Sequence, residues 1–118
     1  MNMEMISALF SLFSGLDDPQ TYQPLLMTAV QEVRGSLRPE CDDTDARLCY
    51  LVAALANLRY VQLCGTREKA MATYAGTIAK ESDSSQRLFF AEQLVSSYRG
   101  LCCDLLREKK FFFSGIEG

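Results

Sequence analysis

The side chains of this chain that could do chemistry are five cysteines, Cys41, Cys49, Cys64, Cys102 and Cys103, and two acids set in a helical pattern, Glu92 and Asp104. Thiolates can act as nucleophiles, redox pairs or zinc ligands, and paired carboxylates can act as general acid and base. Each of these chemistries lacks its remaining parts. The chain has no histidine, so a thiol or hydroxyl nucleophile has no imidazole base and a zinc site has no imidazole ligand. The cysteines are odd in number and show no C-x-x-C spacing, which reads as reduced thiols in a cytosolic protein. Cys102 and Cys103 are adjacent, and adjacent residues on a helix point about 100° apart. They read as small buried side chains and not as a redox pair. Glu92 and Asp104 are spaced for a solvated outer face. No G-x-x-x-x-G-K-[ST] or G-x-G-x-x-G occurs, and the glycines end helices or mark turns. The expectation is a protein that is not an enzyme and carries no cofactor and no metal.

Composition narrows the class further. A chain of 118 residues that is 48% hydrophobic suits one domain with a modest core. A net charge of −3 from 12 basic and 15 acidic residues gives no footprint for nucleic-acid phosphates. The N-terminal run MNMEMISALFSLFSGL carries Glu4 where a signal peptide would carry Lys or Arg, so it reads as retained. From Leu48 to Leu63 the chain is apolar for only about 16 residues and contains Asn57 and Arg59, where a membrane span needs ~20. A soluble protein is expected.

The element that organises the rest is DDTDARLCYLVAALANLRYVQL, from Asp42 to Leu63. Leu48, Leu51, Val52, Leu55 and Leu58 form one stripe at helical spacing, and Tyr50, Ala53, Ala54, Asn57 and Val61 form a second. A helix apolar on both flanks belongs at the centre of an all-α fold, a small bundle of about four helices. Asp42, Asp43 and Asp45 suit its N-terminus, Cys64 and Gly65 its end, which gives a helix over 43–63. A preceding helix over 21–37, with Pro24 in its first turn, has Leu26, Ala29, Val30, Val33 and Leu37 on its inner face and is closed by Gly35 and Pro39. The last helix, over 84–109, shows Leu88, Ala91, Leu94, Val95, Tyr98, Leu101, Cys102 and Leu105. Met3 to Phe13 is a short apolar helix, which could cover the central helix or serve as a second docking element.

Two features exceed what a plain bundle needs. Thr73, Tyr74, Gly76, Thr77 and Ile78 are β-prone or turn-prone, so an extended arm or small hairpin is expected over 73–82, where a loop of ~2 to 8 residues would suffice. The chain end, 111–118, carries Phe111, Phe112, Phe113 and Ile116, which must fold back on the core or dock on a partner. Tyr74, Gly76, Ile78, Phe111, Phe112 and Phe113 are therefore the candidate interaction residues.

The order ARLCYLVAALANLRYVQL, then TYAGTI, then an amphipathic helix and FFFSGI resembles the small head-tail connector or head-completion proteins of tailed phages and prophages, from about Pro24 to Ile116. The arm glycine of such proteins is often followed by Asp, whereas Thr77 follows here. The resemblance implies an all-helical adaptor of the virion neck, present in the bacterial cytoplasm before assembly. It would form a homo-oligomeric ring between the portal protein and a tail or stopper protein, with no specific nucleic acid and no membrane as partner. The alternative is a cytosolic helical regulatory or chaperone-like module whose apolar groove holds a partner helix.

Overall fold

Asn2 opens the first helix by accepting the Met5 N–H on its Oδ1 at 3.1 Å, and Gly15 closes it in the left-handed region at φ 78°, its N–H donating to Ser11 O at 2.8 Å. This is α1, Met3–Ser14. Asp18 caps a 3₁₀ turn over Pro19–Tyr22, which leads directly into α2, Gln23–Gly35, with Pro24 in its first turn as expected. Asp45 caps α3, Ala46–Ala75, by accepting the Arg47 N–H on Oδ1 at 2.9 Å. The fourth helix, α4, is Ile78–Leu101. The computed structural model describes the backbone of residues 1–75 and 78–107 and the side chains of 1–65 and 85–107. Within them the fold is an all-α bundle around a buried central helix.

Both stripes of α3 are covered. Leu48, Leu51, Val52, Ala53, Ala54, Leu55, Ala56 and Leu58 are fully buried, and Asn57 and Val61 nearly so. α1 contributes Ile6 and Phe10, α2 contributes Leu26, Ala29, Val30 and Val33, and α4 contributes Ala91 and Val95. α1 is therefore a core element, which settles its place in the fold. α3 and α4 run antiparallel, since Tyr50 meets Tyr98 at 5.4 Å between ring centroids while Arg47 Nη1 reaches Leu101 O at 2.8 Å.

Four expectations are corrected. The described part of the arm expected over 73–82 is helical and not extended: α3 runs on through Tyr74 to Ala75 and α4 begins at Ile78, with no strand among the described residues. Helix propensity differs by only ~0.7 kcal/mol per ordinary residue, so a few Thr, Tyr and Ile do not outweigh two helices propagating toward each other. α3 spans Ala46–Ala75 rather than 43–63: Asp45, and not Asp42, caps it, and Gly65 does not stop it, because an interior glycine costs only about 1 kcal/mol relative to alanine. α2 occupies Gln23–Gly35 rather than 21–37, the preceding residues forming the 3₁₀ turn. The last helix spans Ile78–Leu101 rather than 84–109, because the chain turns at Cys102 to pair with the loop after α2. There Leu37 and Leu106 form an isolated antiparallel bridge, Arg38 N–H donating to Leu105 O at 2.9 Å and Arg107 N–H to Ser36 O at 2.8 Å. Leu106 and Cys102 are buried by this turn, and Leu101 is left exposed.

One ion cluster holds the same end of the bundle. Arg47 spans Asp45 at the start of α3 and Asp104 beyond α4, at 2.8 and 3.1 Å. Hydrogen bonds from the Arg47 side chain and then its backbone N–H bring the Asp45 carboxyl down from 3.8 to about 2. A carboxyl whose folded pKa is depressed adds stability above its unfolded pKa, and that stability is lost as pH falls through the folded value. The window here runs from about pH 4 to about pH 2. Asp45→Asn keeps a capping side chain and removes the charge, so its urea midpoint should lie below that of the wild type at pH 7 and converge with it by pH 2. A gap that persists at pH 2 would assign the effect to lost geometry. In the core, Leu55→Ala should cost about 2–5 kcal/mol in urea unfolding with an unchanged m-value. Leu12→Ala, at a side chain that is 74% exposed, should stay within about 0.5 kcal/mol.

Candidate functional site

Of the residues singled out in the sequence, Tyr74 and Ile78 lie in the described backbone, and Gly76, Phe111, Phe112 and Phe113 lie outside the described residues. Tyr74 stands one residue before the end of α3 and Ile78 is the first residue of α4, so the two flank the junction of the long helices. The position of that junction follows from helix lengths. α1 and α2, of 12 and 13 residues, reach ~20 Å each, whereas α3, of 30 residues, reaches ~45 Å. α1 starts beside Cys49, whose thiol lies 4.0 Å from Asn2 O, and ends at Phe13 and Ser14 beside Val61. Glu32 of α2 pairs with Arg59, and Tyr22 packs on Tyr60 at 5.0 Å. The short helices thus flank the first half of α3, and its second half continues with α4 to the junction.

Where the short helices end, a groove of about 480 Å³ opens between α1, α3 and α4. Phe13, Val61, Phe90, Ala91 and Leu94 give it apolar walls, and Arg87, Gln93 and Ser97 a polar rim. Asn57 forms part of its lining while only 5% exposed, and its Oδ1 has no hydrogen-bond partner among the described residues. A buried acceptor left without a donor costs about 1–3 kcal/mol. Phe89 and Phe90, in edge contact at 5.7 Å, are 55% and 66% exposed on the same stretch of α4. An apolar cleft beside exposed aromatics, with one buried polar group, has the composition of a protein-contact surface.

The sequence signals for this surface were present. Asn57 is an amide set among Ala53, Ala54 and Val61 in the second stripe of α3, and Phe89 and Phe90 fall outside the stripe of Leu88, Ala91 and Val95. What the stripe could not convey is that α1 ends before α4 does. The Arg47–Asp104 pair gave no signal, because its partners are 57 positions apart.

Among the described residues the chemically capable side chains are not gathered into a reacting centre. Burial pushes the Cys102 thiol up to about 11, which keeps it protonated and unreactive, while Cys103 is exposed. Tyr60 is pushed up to about 12, first by its hydrogen bond with Cys64 and then by burial. The cysteines are free thiols, and no cluster of three or more acidic, thiol or imidazole side chains suited to a metal occurs among the described residues. Ala46–Gly65 is long and apolar enough to cross a membrane by length and composition, a longer window than the sequence reading allowed, and 61% of it is buried inside the bundle. No family model, curated protein or solved structure matches the chain.

Asn57→Leu removes the orphan acceptor without opening a cavity. The unliganded protein should gain about 1–3 kcal/mol in urea unfolding. A loss of stability instead would mean that the amide is already satisfied in the free protein.

Proposed function

We propose that this protein is a non-enzymatic helical adaptor that acts through protein–protein contact, and that it serves as a ring-forming head-tail connector in the neck of a tailed phage or prophage. In that role it joins the portal protein to a tail or stopper protein, working in the virion neck after passing through the host cytoplasm, without cofactor, specific nucleic acid or membrane. The observation that carries the reading is the pair α3 and α4, which continues beyond the short helices and has Tyr74 and Ile78 at its far end. A ring needs one surface of each copy to meet a different surface of the next, so that rotation closes the assembly. A long helical hairpin on a short-helix body supplies two such unlike surfaces. The expected arm is thus a helical one, and the resemblance to connector proteins supplies the particular assignment.

A second reading, a helical module that holds a partner helix, is favoured by the groove at Asn57 and by the exposed Phe89 and Phe90. The two differ in where binding is lost. The genes flanking this one give the first discrimination: neighbours resembling portal, capsid or tail proteins support the connector, and a metabolic or regulatory neighbourhood sinks it. With the neighbouring portal protein purified, the full chain should form a ring complex visible by electron microscopy. Replacing Thr73–Ser82 by a short Gly/Ser linker should keep the helical circular-dichroism spectrum and abolish that complex. Phe89→Ser with Phe90→Ser should leave the ring intact under the connector reading and remove partner binding under the groove reading. An unfolded linker variant would place this stretch in the core and remove the basis for an arm.

A further inference from the structure

The groove beside Asn57 runs along α4. Its lining from that helix extends from Arg87 to Ser97, ~15 Å at the helical rise, which is about three turns of a helix laid against it. α3 and α4 keep one antiparallel register, Tyr50 meeting Tyr98 and Arg47 meeting Leu101, and the same register sets Asn57 level with Ala91. Ala91 offers only a methyl group at that level, and α1 ends at Ser14. The Asn57 amide therefore lies at the floor of the groove, midway along it, 5% exposed and with no donor to its Oδ1 among the described residues.

The walls decide the backbone of an occupant. Phe13, Val61, Phe90 and Leu94 cannot pair N–H or C=O groups, so an extended segment laid on them would bury unpaired main-chain donors and acceptors. A helix satisfies its own backbone except at its ends, and three turns present a stripe at i, i+3, i+4 and i+7 to such walls. Phe89 and Phe90, exposed on α4, carry the apolar surface past the rim, where the flank of a helix wider than the cleft would rest. The amide decides one side chain of that helix. A helix has no spare N–H in its middle turn, so the donor for Asn57 Oδ1 has to come from a side chain. A neutral hydroxyl or amide suits the place, because an ammonium or guanidinium would leave water for a single neutral acceptor.

We infer that the groove seats an amphipathic helix of a partner protein, about three turns long, whose apolar face carries one neutral hydrogen-bond donor at its centre, opposite Asn57. The inference rests on the reading of this chain as a module that holds a partner helix, and it adds what that partner must carry.

The test is selection from a phage-displayed library of helical peptides of about four turns, randomised on one face, against the full chain and against Asn57→Leu. The affinities of enriched peptides are then measured by fluorescence anisotropy. The wild type should enrich sequences with one Ser, Thr, Tyr, Asn or Gln fixed in the middle of an apolar stripe, and Asn57→Leu should enrich aliphatic residues at that place. Exchanging the fixed donor for leucine should weaken binding to the wild type about tenfold and leave binding to Asn57→Leu no weaker. Phe90→Ser should weaken every enriched peptide about tenfold or more. Leu101→Ser, at an exposed side chain toward the other end of α4, should change nothing. No enriched peptide, or enrichment indifferent to Phe90→Ser, removes the helix-holding reading together with this inference. Peptides that bind through Phe90 but carry no fixed donor leave that reading in place and overturn the inference alone. Displacement of the peptides by a synthetic copy of residues 108–118, or self-association of the full chain that Phe90→Ser abolishes, would give the groove to this chain itself and overturn a separate partner. The leucine exchange within the peptide decides the matter on the wild type even if Asn57→Leu does not fold.

Discussion

Everything in this fold follows from the need to keep α3 out of water on every side. From Leu48 to Leu58 its side chains are buried without interruption, apart from the small remaining exposure of Cys49, Tyr50 and Asn57. Fully burying one Leu or Val side chain is worth ~1.5–3 kcal/mol, so no single flanking helix could be removed without exposing more than a marginal fold can lose. The choice of Ala53, Ala54 and Ala56 lets the neighbours come close, and the leucines between them fill the space so created. α1 and α2 are each amphipathic because each meets α3 with only one face, while α3 is buried on both flanks from Leu48 to Leu58.

The two ends of the bundle are built differently, and the difference bears on function. At the end near Asp45, the cap of α3, the Arg47 bridge to Asp104 and the backbone bridge of Leu37 to Leu106 tie helices that are far apart in sequence. These ion pairs are solvent-exposed, and exposed pairs contribute little each. Their value lies in geometry: they fix where the chain turns after Leu101 and so bury Cys102 and Leu106. At the other end the short helices finish near Val61, and the next described side chains of the long helices, Leu63, Phe89 and Phe90, are exposed. Large apolar side chains left exposed together beside a groove mark a contact surface.

How much of this was legible in the sequence depended on how local the determinant is. The stripes of α3 and the inner face of α2 are set by spacing within one helix turn or two, and they appear where the pattern puts them. The far end of α3 did not, because the pattern of Thr73 to Ile78 speaks for intrinsic preference and the outcome turned on propagation from an already nucleated helix. The end of α4 misled for the opposite reason. Leu101 and Leu105 continue the helical stripe, but the bridge between Leu37 and Leu106 is made with a loop some seventy positions away and takes precedence over it. Of the candidate surface, Asn57 stood in the pattern as an anomaly, whereas the groove around it exists only because α1 stops at Ser14.

Asn57 is the place where fold and function pull apart. A leucine there would continue the stripe and relieve a buried acceptor. The groove sets this acceptor between the apolar walls of Phe13, Val61, Phe90 and Leu94 and the polar rim of Arg87, Gln93 and Ser97. A docked segment presenting one N–H or O–H among apolar side chains would satisfy the amide and dry the walls together. The same amide would penalise an occupant that is apolar throughout, because such an occupant would seal an unpaired acceptor. A polar group at the floor of an apolar groove therefore selects its partner by register as well as by hydrophobicity. On the proposed reading as a module that holds a partner helix, such selection would join one particular neighbour and leave other apolar surfaces alone.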